Sequence, residues 1–248
     1  MNHTLQQAIK ENRLDIVYYL ISDKEVIDAS IFRDKEPSKI VVPPLVTSIY
    51  DYTFIRCSSL THIMIPSSVT SIGEAAFSGC ISLKGIVIPH SVVSIGQNCF
   101  NNCRSLEEIS IPSSVTKIGF NAFGGCSSLK YFIIPSSITE IDHYLFDGCS
   151  SLEQVVIPSS ITRIGGESFK RCFSLKQILI PESVKSIGKY AFCKCTSLRQ
   201  IIIPSSVASI DDYAFEDCNL LRYLSIPSSV GSIVRCRVPI NTEISIRP

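Results

Sequence analysis

Net charge is almost absent from this sequence: 23 lysines and arginines stand against 22 aspartates and glutamates, leaving +1 over 248 residues. That balance removes the basic footprint that nucleic acid or an acidic membrane surface requires, so neither is expected as a partner. No apolar run reaches the roughly 18 residues of a membrane-spanning helix, which excludes membrane insertion by that route. The opening MNHTLQQAIKENRLDIV lacks the basic-then-apolar layout of a secretory leader. A soluble, cytoplasmic protein is the resulting expectation. Histidine is scarce too, and His3, His62, His90 and His143 are too far apart in register to pair with a nucleophile or carboxylate in a triad. Phosphate loops, paired carboxylates and metal-ligand spacings are missing. The chain therefore reads as non-enzymatic, with no cofactor and no metal.

What the sequence has is a period. A proline falls at every 23rd residue from Pro43 to Pro227, nine times without insertion or deletion, and Phe54 to Phe215, Cys57 to Cys218 and Leu60 to Leu221 keep the same step. One small unit is copied and stacked. The unit reads P-x-S-V-x-x-I-G-x-x-A-F-x-x-C-x-S-L-x-x-I-x-I. Its L-x-x-I-x-I segment, as in Leu83 to Ile88, has the alternation of a short strand, ended by a proline that cannot donate to the next rung. The Gly73 slot, occupied by Asp142 and Asp211 in two copies, is expected to open a short helical turn that carries Ala76, Phe77 and Cys80 inward. One copy buries too little to fold alone; stacked copies share a core, and their strands form a parallel sheet.

Eleven cysteines would suggest disulfides in a secreted chain, but eight occupy a single slot of the repeat, from Cys57 to Cys218. Stacked strands place equivalent residues about 4.8 Å apart with parallel Cβ vectors, a poor match to disulfide geometry and to the convergence that tetrahedral zinc needs. Buried thiols filling a core slot are the better reading. Cys99 falls in the Ala76 slot and is expected in the core; Cys193 falls in an outward slot, where a reactive thiol and an inert one are both open. The serine row from Ser68 to Ser229 has no base beside it and is expected to satisfy backbone groups between coils.

Units such as IPSSVTSIGEAAFSGCISLKGIV resemble the BspA-like class of leucine-rich repeats, over roughly Ile40 to Ile233. The resemblance implies an α/β repeat solenoid, curved, with a parallel sheet on its concave face and short helical turns or loops on the other side. It also implies a protein-binding, non-catalytic role. Many relatives are surface proteins linked to adhesion, so cell-surface binding of host or matrix proteins is the alternative function.

Three segments follow. Residues 37–233 are the solenoid, about eight full repeats. Residues 1–36 carry the spacing of two short amphipathic helices around Asn12-Arg13, and AIKENRLDIVYYLIS resembles the helix pair of an ankyrin repeat; a helical cap and a remnant binding module both stay open. Residues 234–248 are a degenerate last coil or cap in which EISIRP arrives three residues early, and a poorly covered end would favour self-association.

Function is left to the outward strand positions, which differ between copies. From Tyr131 to Tyr223 one outward row reads Tyr131, Gln154, Gln177, Gln200, Tyr223 and the other Ile133, Val156, Leu179, Ile202. A protein partner of unknown identity docked on this stripe is one reading. The other is that β-branched residues merely suit strands. A neighbouring row ends basic, in Lys176, Arg199 and Arg222.

Overall fold

The computed structural model describes residues 26–27, 38–230 and 234–247. The expected helix pair in 1–36 lies outside the described residues, apart from a short strand, Val26–Ile27. The chain divides into two compact units, Met1–Cys126 and Ser127–Pro248. Both are β-solenoids of stacked coils.

In the first unit, the L-x-x-I-x-I segments form three-residue strands. Lys39–Val41 pairs in parallel with His62–Met64, and Gly85–Val87 with Glu108–Ser110. A second ladder comes from the V-x-x-I segments, such as Val69 to Ile72. Val26–Ile27, Ser48–Ile49, Ser71–Ile72, Ser94–Ile95 and Lys117–Ile118 make a five-stranded parallel sheet. Ile27 pairs with Ile49 at a spacing of 22 rather than 23, which is why a strict period misses it.

The second unit repeats this plan. Tyr131–Ile133 pairs with Gln154–Val156, and Gln200–Ile202 with Tyr223–Pro227, which pairs in turn with Glu243–Arg247. Its second ladder joins Glu140–Ile141, Arg163–Ile164, Ser186–Ile187 and Ser209–Ile210. The last strand sits early, as its sequence implied: Glu243 pairs with Tyr223 across 20 positions.

The turn after the glycine slot is not helical. Among the described residues the one helix is the 3-10 turn Val234–Cys236. Instead of bonding back along its own coil, alternate N–H groups of the turn donate to the next coil. Ala75, Phe77 and Gly79 donate to the carbonyls of Gln97, Cys99 and Asn101, all at 2.8 Å, and other coils repeat the pattern. Two residues per turn take left-handed φ, such as Ala75 at 49° and Gly79 at 76°. The glycine slot has a different cause from the one its residue type suggests. Gly96 lies outside the left-handed region, but a Cβ there would stand 2.4 Å from the Gly73 carbonyl carbon. At Gly96 the missing side chain is what lets the two backbones come this close.

The core is built from rows. Phe54, Phe77, Phe100 and Phe123 stack with ring centroids 5.1, 5.3 and 5.5 Å apart, and Phe146, Phe169, Phe192 and Phe215 form a second stack at 5.5, 5.4 and 5.8 Å. The cysteine slot is fully structural. Cys80, Cys103 and Cys126 donate S–H to the carbonyls of Phe54, Phe77 and Phe100, and Cys172, Cys195 and Cys218 to those of Phe146, Phe169 and Phe192. A thiol is small enough for the slot, and its S–H finds an acceptor in a carbonyl that already takes a backbone N–H, as Phe54 O does from Cys57 at 3.1 Å. The serine row does likewise: Ser68 Oγ donates to Val46 O at 2.7 Å, Ser114 to Val92 O at 2.8 Å and Ser206 to Val184 O at 2.7 Å.

Candidate binding face

Along the three-residue strands of the second unit, burial alternates out, in, out. Phe132, Val155 and Ile201 point into the core, while Tyr131, Ile133, Gln154, Val156, Gln200 and Ile202 are exposed. The proline that ends each strand fixes this parity, and parallel in-register pairing lines up equivalent side chains. Ile133 stands beside Val156, and Tyr131 beside Gln154.

The ladder is interrupted at Gln177 and Leu179. The chain there keeps the alternation, with Ile178 buried between two exposed residues, but forms no strand, and Gln154–Val156 and Gln200–Ile202 pair away from it. Leu179 consequently stands well out, 85% exposed. Beside the interruption lies an open hollow of about 550 Å³ lined by Lys176, Gln177, Ser197, Arg199, Gln200 and Leu220. Its polar groups are mainly N–H donors. Lys176 Nζ also bonds Glu153 Oε2 at 3.0 Å, and this hydrogen bond holds the Glu153 carboxyl below the usual carboxylate range. The hollow was not legible in the sequence, although two of its members belong to the basic end of the rim row.

Two outward positions of the second unit depart from expectation. Tyr223 is only half-buried rather than open, and Ser225, the next residue in step after Ile202 and by that register outward, is 1% exposed. Glu243–Arg247 pairs alongside, and the Arg247 guanidinium reaches back to donate to Ile203 O, closing this end of the face. Cys193 is also not outward: it is 2% exposed, and burial pushes its thiol up to about 11. On the first unit the corresponding rows are less apolar. Met64 and Val87 are exposed, but His62, Glu108 and Ser110 share that face.

The histidines that are placed serve locally. His62 Nδ1 lies 2.9 Å from Thr61 Oγ1, and His143 Nδ1 accepts from the Gly166 N–H at 3.1 Å. Among the described residues no group of three or more His, Cys, Asp or Glu is placed to hold a metal ion, and no helix is long and apolar enough to cross a membrane. The densest charged cluster is spent on the turns. Glu167 takes Tyr144 Oη and Lys170 Nζ, while Arg171 forks onto Asp147 at 3.0 and 2.6 Å.

The model of the BspA-type leucine-rich repeat region matches residues 25–153 and 118–236, in six copies. The chain belongs to that family. Solved structures of leucine-rich repeat proteins share the fold. A leucine-rich repeat protein from Eubacterium ventriosum is 28% identical, with 73% of this chain and 58% of that one covered and a TM-score of 0.61. The T. pallidum leucine-rich repeat protein is 26% identical, with 74% and 78% covered and a TM-score of 0.52. The chain matches no curated protein. Leucine-rich repeat proteins generally serve as protein-interaction scaffolds, and BspA-type members are often surface-associated.

Proposed function

We propose that the protein is a non-catalytic interaction scaffold that takes a protein partner on the outward strand face of the unit Ser127–Pro248. The observation that carries this is the exposed apolar row Ile133, Val156, Leu179 and Ile202, bordered by Tyr131, Gln154, Gln177 and Gln200. Strand propensity accounts for isoleucine and valine on a sheet. It does not account for Leu179, which is not β-branched, lies outside any strand and is the most exposed of the row. Exposed leucine beside amide side chains and a donor-lined hollow suits a partner that combines an apolar anchor with acceptor groups.

Leu179→Asp places a charge where the anchor would be desolvated, and Tyr131→Ala removes an aromatic contact. Hot-spot truncations cost about 2 kcal/mol or more, so Leu179→Asp is expected to weaken binding by about 30-fold with an unchanged circular dichroism spectrum. Affinity capture from the source cell, comparing the wild-type chain with both variants, checks it. A partner retained equally by all three would place the site elsewhere. If the chain is displayed at a cell surface, as BspA-type members often are, the same face would bind host or matrix proteins. Antibody staining of unpermeabilised cells decides between that adhesion role and an internal one.

A further inference from the structure

The last strand, Glu243–Arg247, pairs on one side with Tyr223–Pro227. Among the described residues nothing pairs with its other side. The hydrogen bonds say which groups that free edge presents. The Glu243 N–H donates to Arg222 O at 2.9 Å, and Arg247 O accepts from the Ser228 N–H at 2.7 Å. In a parallel ladder the residues alternate, so Glu243, Ser245 and Arg247 turn their backbone groups inward. Ile244 and Ile246 turn their N–H and C=O groups outward. Their side chains, on the core side of the sheet opposite Leu224 and Ile226, are both exposed.

The sequence of this strand, Glu-Ile-Ser-Ile-Arg, is complementary to itself when reversed. An antiparallel copy centred on Ser245 sets Glu243 across from Arg247 of the second copy, and Ile244 across from its Ile246. The hydrogen-bonding parity agrees. The residues with outward N–H and C=O, Ile244 and Ile246, become the hydrogen-bonded pairs, and Ser245 faces its own copy in the closely spaced, non-bonded position on the two-fold axis. Glu243 of each copy lies across from Arg247 of the other, whose guanidinium is turned to Ile203 O of its own chain, so the main contact is the four isoleucines that cover one another over the two core ends. A parallel copy in register would set Glu243 against Glu243 and Arg247 against Arg247, which repel. We propose that two copies of this chain associate edge to edge through Glu243–Arg247, antiparallel about Ser245, to form a two-fold symmetric dimer.

The test uses the full chain with Ser245→Cys under mild oxidation. Opposed residues in the non-bonded position have Cα atoms about 4.5 Å apart, within disulfide range. All eleven native cysteines are buried, so the new thiol is the one that reacts. The expected result is a disulfide-linked dimer on a non-reducing gel. Glu243→Cys, whose two copies lie at opposite ends of the paired strands, is expected to give none. Independently, sedimentation of the wild-type chain is expected to show a reversible dimer, and Ile246→Lys to weaken it at least about tenfold. The proposal is overturned by a wild-type chain that stays monomeric, by a dimer indifferent to Ile246→Lys, by open-ended polymers, or by equal cross-linking at residues 243 and 245.

Discussion

Raising the pH from 8 to 10 is expected to remove on the order of 8 kcal/mol from the folded state through six buried thiols alone, at about 1.4 kcal/mol each for every unit the pH stands above the unfolded pKa. Cys80, Cys99, Cys103, Cys172, Cys195 and Cys218 are all pushed up from an ordinary value of 9.0, in each case first by burial. Cys218 stands at about 12. In the unfolded chain these groups ionise near pH 9, while in the fold they keep their protons. A raised folded pKa gives stability that is fully present below the unfolded value and lost as the pH climbs toward the folded one. Native proteins are stable by about 5–15 kcal/mol, so the loss is enough to bring the chain close to unfolding. Thermal unfolding in reductant at pH 8, 9 and 10 should show the midpoint falling steeply over the last unit. A flat profile would mean that the thiols are not buried as described.

Phe100→Ala should cost about 3–5 kcal/mol, the range for deleting a fully buried aromatic ring. Phe100 is inaccessible to solvent and stacked between Phe77 and Phe123 at 5.3 and 5.5 Å. Because each coil touches only its neighbours, the damage should be local. Hydrogen exchange should accelerate in the coils on either side of residue 100, with much smaller change in the stack Phe146 to Phe215. Denaturant unfolding gives the total, and fragment-resolved exchange gives its location. A loss below about 1 kcal/mol would indicate that the phenylalanine row is not the spine of the unit.

Much of the architecture could be read from the period. The proline at the end of each L-x-x-I-x-I segment set the parity of the strand, and with it which of Tyr131, Phe132 and Ile133 face outward. The cysteine and serine rows were legible as scaffold because nothing beside them could activate a nucleophile, and the S–H and O–H bonds to the preceding coil explain why those residue types suit their slots. What escaped the sequence is what depends on contact between coils. Gly96 looks like a helix starter when only its own coil is considered; its reason is the Gly73 carbonyl carbon, 2.4 Å from where a Cβ would stand. The left-handed turn residues include Ala75, Tyr144 and Glu167, which carry no local signal for that conformation. They are held there by N–H bonds to carbonyls 22 residues away, such as Ala75 to Gln97 and Tyr144 to Gly166. Ser225 was misplaced for a related cause, since Arg247, which closes that end of the face, arrives from outside the repeat register.

On the outward face the sequence supplied the candidate residues but not their relief. The interruption at Gln177–Leu179 and the hollow beside it lie between two separate strand pairings, Tyr131–Ile133 with Gln154–Val156 and Gln200–Ile202 with Tyr223–Pro227. The repeat consensus does not mark that point. It is nonetheless where the apolar row projects furthest and where Lys176 and Arg199 approach it. The rows in step with the period hold the coils together, and the rows that vary between copies, on this one face, are those proposed to contact the partner.

Differential hydrogen exchange of the full chain, alone and with the partner it captures, tests that division most directly. The account predicts slowed exchange in peptides covering Tyr131–Ile133, Gln154–Val156, residues 176–180 and Gln200–Ile202, with little change in the turns around Ala75, Tyr144 and Tyr190. Protection confined to the turns, with the outward strand face unaffected, would contradict it.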